Sequence, residues 1–268
     1  MSSRTLIFCF DGTWNQRDGD YDTNVEKLHA ALRVAGQESY YFAGPGNDGD
    51  NHAFMKFMGG AFGAGSWEIR DEALRVLKAA YRDGDTIAVI GFSRGAAIAR
   101  MFCARLGEDG VRAMKPRVAF LGCFDTVGAY LPFGIAQQGI FHDLNVSPIV
   151  DTAAHVVAID EDRKAFAPNL MNQREGITEV WMPGVHGDVG GGQAETGHSD
   201  GALRWMVDQM AAARIFAVIE THPNPDAPIG VNLGIYPRER RRRGVKVDGK
   251  WVDPNLGGFE ILDEVNED

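Results

Sequence analysis

Ser93 stands in Gly91-Phe92-Ser93-Arg94-Gly95, between the apolar run Ile87-Ala-Val-Ile and a helical run that begins at Ala96. A G-x-S-x-G between a strand and a helix makes a sharp elbow that lifts the serine hydroxyl above the sheet edge. The two glycines are required because side chains there would collide with neighbouring backbone. The N-terminus of the following helix aims backbone N–H groups and a positive dipole end at an oxyanion forming on that spot. The chemistry implied is nucleophilic attack on a carbonyl carbon. The bare pattern arises easily in a chain with 33 glycines; the strand before it and the helix after it supply the specificity.

A serine hydroxyl is a poor nucleophile until a base takes its proton, and the base needs an orienting acid. For this elbow the chain order is serine, acid, histidine. Val118-Ala-Phe-Leu-Gly-Cys-Phe runs into Asp125-Thr126-Val127-Gly128, which puts Asp125 at the carboxyl end of a strand. Asp160, which ends Val156-Val-Ala-Ile, is the alternative acid. For the base, Glu179-Val-Trp-Met-Pro-Gly-Val leads to His186 and then to Gly187-Asp188-Val189-Gly190-Gly191-Gly192, a loop able to bring an imidazole over the serine. His198 is the other late histidine in a flexible setting. His155 is expected to begin its strand, at the wrong edge; His29 falls on a helix face, His52 and His142 precede the final strands, and His222 lies among prolines. The oxyanion donors are expected to be the N–H of Arg94 and that of Gly12 or Thr13, on the turn Asp11-Gly12-Thr13 that follows Leu6-Ile-Phe-Cys-Phe. Phe92, Phe62, Tyr130, Leu131 and Phe133 are candidates to line an acyl pocket.

These groups need a sheet whose strands all end at one edge. Strand candidates are 5–10, 39–43, 86–92, 117–124, 155–159 and 178–182, several of them continuously apolar, as parallel strands covered on both faces are. Helix candidates at 23–35, 67–82, 95–106 and 200–219 alternate with them. In the second, Ile69, Ala73, Leu77 and Ala80 recur at helical spacing. The pattern predicts an α/β fold of the α/β-hydrolase type, a mostly parallel sheet with helices on both faces. It is read as a single domain over 1–268, with an irregular C-terminal wrap and a hairpin from about 223. Gly44 to Gly65 and Tyr130 to Val150 follow strands and are placed over the carboxyl edge, where active sites form in such sheets.

The 268 residues carry a formal charge of −10, which excludes nucleic acid as the main partner. The one dense basic run, Arg238 to Arg243, reads as a solvated loop or as a contact for anionic lipid, a peripheral membrane attachment. Cys9, Cys103 and Cys123 are odd in number and form no CxxC pair, so buried reduced thiols and synthesis in the cytoplasm are expected. Leu6 to Phe10 is too short for a signal peptide, and no stretch nears the roughly 18 apolar residues of a membrane span. Export without a leader is compatible with this.

Four ordered segments carry a resemblance: Phe10-Asp-Gly-Thr-Trp-Asn15, Gly91-Phe-Ser-Arg-Gly-Ala96, Phe124-Asp-Thr-Val-Gly128 and Trp181-Met-Pro-Gly-Val-His186-Gly-Asp-Val-Gly-Gly-Gly192. The segment His155-Val-Val-Ala-Ile-Asp-Glu-Asp-Arg-Lys-Ala-Phe166 belongs with them. Together, over about residues 4 to 205, they resemble an α/β-hydrolase domain family whose best-known members are phospholipase effectors of bacterial type VI secretion. The resemblance implies a triad of Ser93, Asp125 and His186 that cleaves a carboxylic ester, a lipid ester above all, without a cofactor. Position 187 departs from it, with glycine where a small polar residue is expected.

Other chemistries fit less well. A strand ending in Asp-Gly-Thr resembles haloacid dehalogenase-type phosphatases, whose nucleophilic aspartate would fall on Cys9. Gly60 to Gly65 lacks the leading strand and spacing of a dinucleotide loop. Asp18 to Asp22 lacks the sixth-position glycine and twelfth-position glutamate of a calcium loop. A catalytically silent hydrolase-fold binding domain is the alternative from outside enzymology.

Overall fold

Residues 5–10 have every second side chain pointing to opposite faces of a sheet, and both faces are covered. Leu6, Phe8 and Phe10 enter one apolar layer, Ile7 and Cys9 the other, all fully buried. The computed structural model describes residues 4–13, 21–45, 62–111, 116–128, 144–163, 166–230, 245–247 and 250–252. In it six strands form one all-parallel sheet: β1 (Thr5–Phe10), β2 (Glu38–Phe42), β3 (Thr86–Phe92), β4 (Val118–Phe124), β5 (Val150–Ala158) and β6 (Ile177–Met182), in the order β2-β1-β3-β4-β5-β6. Helices α1 (Asn24–Val34), α2 (Phe62–Ala80), α3 (Arg94–Asp109), α4 (His186–Gly190) and α5 (Gly197–Ala212) complete it. Val25, Leu28 and Leu32 of α1 share a layer with Met206 and Met210 of α5, and Leu77 of α2 shares the opposite layer with Ile98 and Phe102 of α3. A short antiparallel hairpin pairs β7 (Val245–Val247) with β8 (Lys250–Val252).

The strand order matters for function. The chain winds outward from β1 to β2, then returns to start β3 on the other flank of β1. Loops leaving β1 and β3 therefore part in opposite directions, and a crevice opens between them at the carboxyl edge. Ser93 and the Asp11–Thr13 turn lie at that point.

Of the boundaries that differ from expectation, two have a clear physical cause. β5 begins at Val150, five residues before the predicted start, because Val118 and Phe120 of β4 pair with Val150 and Thr152. Asp151 and Thr152 gave these positions the composition of a loop, and their neighbour strand overrode it. His155 consequently sits inside β5, between Cys123 of β4 and Glu179 of β6, not at its start. The last helix ends at Ala212 instead of 219. Arg214 takes φ 64°, and Ile215 N–H bonds back to Met210 O at 2.9 Å, closing the helix in the left-handed manner without the usual glycine.

Candidate active site

β3 delivers Ser93 in a backbone conformation that L-residues rarely adopt, φ 58° and ψ −121°. The surroundings enforce it. Ser93 N–H donates to Phe124 O at 3.0 Å, and Val127 N–H donates to Ser93 O at 3.1 Å, so the elbow is pinned to the loop that carries Asp125. A Cβ on Gly95 would stand 2.2 Å from Phe10 O and 2.3 Å from Asp11 O, and one on Gly91 would stand 2.6 Å from the Ala96 Cα. The start of α3 thus presses directly on the end of β1, a contact open only to glycine. Such strain persists where packing over-determines it, as at reacting groups.

Asp125 leaves β4 with φ 35° and is fully buried. Its N–H donates to Val156 O at 2.7 Å, and its Oδ1 accepts Ala158 N–H at 3.1 Å. Its Oδ2 lies 2.7 Å from His186 Nδ1. A carboxylate on Nδ1 places the imidazole proton there and leaves a lone pair on Nε2, which makes no hydrogen bond among the described residues. The ring of Phe92, next to Ser93, lies tilted against the imidazole with centroids 4.7 Å apart. Gly190 has no side chain because Phe92 fills the space, with a Cβ there falling 1.9 Å from the ring. The glycine at 187 has a similar cause: Gln193 Nε2 would be 1.9 Å from a Cβ at that position.

The rival groups are occupied elsewhere. Asp160 Oδ2 accepts Gly184 N–H at 2.8 Å and pinches the turn ahead of His186. His198 Nε2 bonds Ala227 O at 2.8 Å. His29 meets Ser39 Oγ at 2.8 Å, and His222 lies 3.5 Å from Glu220. His155 is fully buried with both ring nitrogens engaged, Nε2 by Thr126 N–H at 3.1 Å and Nδ1 by Glu179 Oε2 at 2.8 Å.

Asp11 organises the β1 loop. Its Oδ2 accepts the hydroxyls of Tyr41 at 2.6 Å and Thr23 at 2.8 Å, and its Oδ1 accepts Gly12 N–H at 2.7 Å. Burial pushes its carboxyl up, against those three donors. Of the two donors expected on this loop, the Gly12 N–H is therefore spent on Asp11, and Thr13 is left as the candidate. Arg94 opens α3, where backbone N–H groups lack intrahelical partners.

Several positioning residues escaped the sequence reading. Thr23 caps α1 by accepting Glu26 N–H at 3.1 Å, and its backbone bridges to Gly191. Asn24 Nδ2 holds Val189 O and Ser199 O, both at 2.9 Å, which ties the histidine loop to α1. A capping threonine before a helix is a visible signal; a buried asparagine with partners 165 and 175 residues away has none.

Among the expected pocket residues, Phe92 packs against His186 in the α1–α5 layer. The Phe62 side chain, Tyr130, Leu131, Phe133, the basic run 238–243 and most of Asp18–Asp22 lie outside the described residues, as does most of each long loop. Cys9, Cys103 and Cys123 are buried free thiols, with burial pushing Cys9 up to about 12 and Cys123 to about 11. Cys9 is thus no substitute for a phosphatase aspartate. Among the described residues, no group of three or more His, Cys, Asp or Glu is arranged to hold a metal ion, and no helix is long and apolar enough to cross a membrane.

An all-parallel sheet of this order, with a strained serine elbow after β3, defines an α/β-hydrolase. Residues 4–116 and 104–209 match the type VI secretion family described as phospholipase effector Tle1-like, catalytic domain, and the chain belongs to that family. No curated protein sequence matches the chain. Among solved structures it is similar to an uncharacterized protein from Pseudomonas aeruginosa, at TM-score 0.59 and 20% identity, covering 81% of this chain and 47% of that one. It is also similar to the Tle1 effector bound to the VgrG spike of the type VI secretion system, at TM-score 0.49 and 21% identity, covering 70% and 51%. Est1E from Butyrivibrio proteoclasticus follows at TM-score 0.46 and 12% identity, covering 78% and 89%. The chain spans about half the length of the first two.

Proposed function

We propose that this chain is a serine esterase that cleaves a carboxylic ester through an acyl-enzyme on Ser93, with the acyl ester of a phospholipid as the favoured substrate. The observation that carries the reading is the 2.7 Å bond from His186 Nδ1 to the buried Asp125, beside a serine in an elbow of φ 58°. In the proposed mechanism His186 Nε2 takes the Ser93 proton as Oγ attacks the carbonyl carbon. Asp125 holds the tautomer and stabilises the imidazolium. The oxyanion is received by the N–H groups of Arg94 and Thr13, each such donor contributing roughly 100- to 1000-fold in turnover. His186 then protonates the leaving alcohol, and water, activated by the same nitrogen, releases the acid and restores Ser93. No cofactor enters these steps.

Family membership supports the lipid substrate and, with it, synthesis in the cytoplasm followed by delivery through a type VI secretion machinery. The test compares wild type with Ser93→Ala on p-nitrophenyl esters of short and long acyl chains and on phospholipid vesicles. The expected loss in turnover is of order 10⁶. Equal cleavage by both proteins removes Ser93 from the reaction. Cleavage of short soluble esters alone retains the esterase and overturns the phospholipid. No cleavage, together with no fluorophosphonate label on Ser93, supports the silent binding domain.

A further inference from the structure

We infer that Glu161, Arg163 and Phe166 form a clamp that holds His186 at both ends, its backbone by Glu161 and its ring by Phe166. This deepens the esterase reading and rests on it for the role of His186. Glu161 is fully buried just beyond β5, and its Oε2 accepts the His186 N–H at 3.2 Å. That N–H opens the short helix α4 and has no intrahelical partner of its own, so a carboxylate is the fitting acceptor. Arg163 grips the same carboxylate from its Nε to Oε1 at 2.8 Å, from its Nη2 to Oε2 at 2.8 Å and from its N–H to Oε1 at 2.9 Å. A fork-on-carboxylate pair has fixed geometry as well as strength.

The guanidinium of Arg163 also lies 3.6 Å over the centre of the Phe166 ring. Phe166 in turn meets the imidazole of His186 edge-on, with centroids 4.9 Å apart at 72°. Phe92 covers the imidazole from another side at 4.7 Å and 32°. The ring is thus confined between two aromatic groups, one of them fastened through Arg163 to the carboxylate that fixes the backbone. The turn before it is fixed as well, with Asp160 N–H to Gly184 O at 3.0 Å and Val185 N–H to Asp188 Oδ2 at 2.9 Å. Asp125 alone constrains one ring nitrogen. The clamp constrains the remaining freedom of the side chain about its Cα–Cβ and Cβ–Cγ bonds, which is what keeps Nε2 aimed at one place.

The test uses the full chain and two readouts. The first is the strongly deshielded proton NMR signal of the His186 Nδ1–H bonded to Asp125, assigned by its loss in His186→Gln. The second is the rate at which a fluorophosphonate labels Ser93. Glu161→Ala is expected to broaden or erase the signal and slow labelling by about a hundred-fold, the size of effect expected when a reacting group is misplaced by about 1 Å. Glu161→Gln keeps an acceptor for the His186 N–H and is expected to restore most of both. In ester hydrolysis the loss falls on kcat and leaves KM near the wild-type value. A folded Glu161→Ala protein with an unchanged signal and labelling rate overturns the clamp. Should Glu161→Ala fail to fold, Phe166→Leu takes its place, and wild-type line width and rate there overturn it equally. If the signal follows Glu161 as expected while wild-type Ser93 takes no label, the clamp stands and the esterase reading falls.

Discussion

Two carboxylate–imidazole pairs lie close together in this molecule, Asp125 with His186 and Glu179 with His155. Their hydrogen bonds are alike, 2.7 and 2.8 Å to Nδ1, and both are almost wholly shielded from water, with histidine side chains 9% and 0% exposed. They differ in where the second nitrogen points. His155 sits inside β5, in register with Cys123 and Glu179, and its Nε2 is consumed by the Thr126 N–H. His186 lies beyond the end of β6, and its Nε2 has no hydrogen bond among the described residues. A histidine within a sheet has strand neighbours on both sides to satisfy; one beyond the strand ends does not. The interior pair braces the residue after Asp125. The edge pair leaves one ring nitrogen without a hydrogen bond among the described residues.

The largest effect that would sharpen this contrast is in turnover. His186→Ala is expected to lower kcat on a p-nitrophenyl ester by about 10⁶. His155→Ala is expected to act on stability instead, costing the fold about 3–5 kcal/mol because Glu179 loses its buried partner, while the folded fraction keeps its turnover. A folded His155→Ala protein as inactive as His186→Ala would break the distinction. The acids should part in the same way: Asp125→Asn is expected to cost about 10⁴ in kcat by reversing the tautomer. Glu179→Gln should cost about 1–3 kcal/mol in denaturant unfolding and little activity.

Gly95→Ala probes the contact between α3 and β1, away from both pairs. Its new Cβ would meet Phe10 O at 2.2 Å, a backbone atom that cannot swing away. The melting temperature should fall by about 10 °C or more, and a variant melting near wild type would show that α3 can slide on β1. The smallest effect is in acid. Burial pushes the Glu161 carboxyl up, but Arg163 more than offsets this and holds it below the usual 4.5. Its contribution to stability is therefore complete above that value and is lost as pH falls through the lower folded value. Glu161→Gln should flatten the acid side of a plot of melting temperature against pH, and an unchanged slope would remove the ion pair from the account.

The elbow was legible because everything that defines it is local: an apolar strand, two glycines, a serine and a helix within about twenty residues. β1, β3 and β4 were legible for the same reason, being short apolar runs covered on both faces. β5 was not, since Val150 to Ala154 became strand by pairing with β4 against their own composition. The misplacement of His155 followed from that boundary. The helix ending at Ala212 was overrun because Ile215 to Ile219 continue its apolar character and no glycine or proline marks the stop.

The site divides along the same line. The chain alone carries the serine elbow, an acid and a histidine that follow it in order, and the motifs of the family. Residue type and neighbouring sequence carry that information. Only the tertiary structure decided that Asp125 and not Asp160 bonds His186, that the Gly12 N–H is spent on Asp11, and that His155 has both ring nitrogens engaged. Each of those choices depends on which atoms from distant segments arrive within about 3 Å of one another, the span of a hydrogen bond. No spacing along the chain encodes a hydrogen bond of that kind.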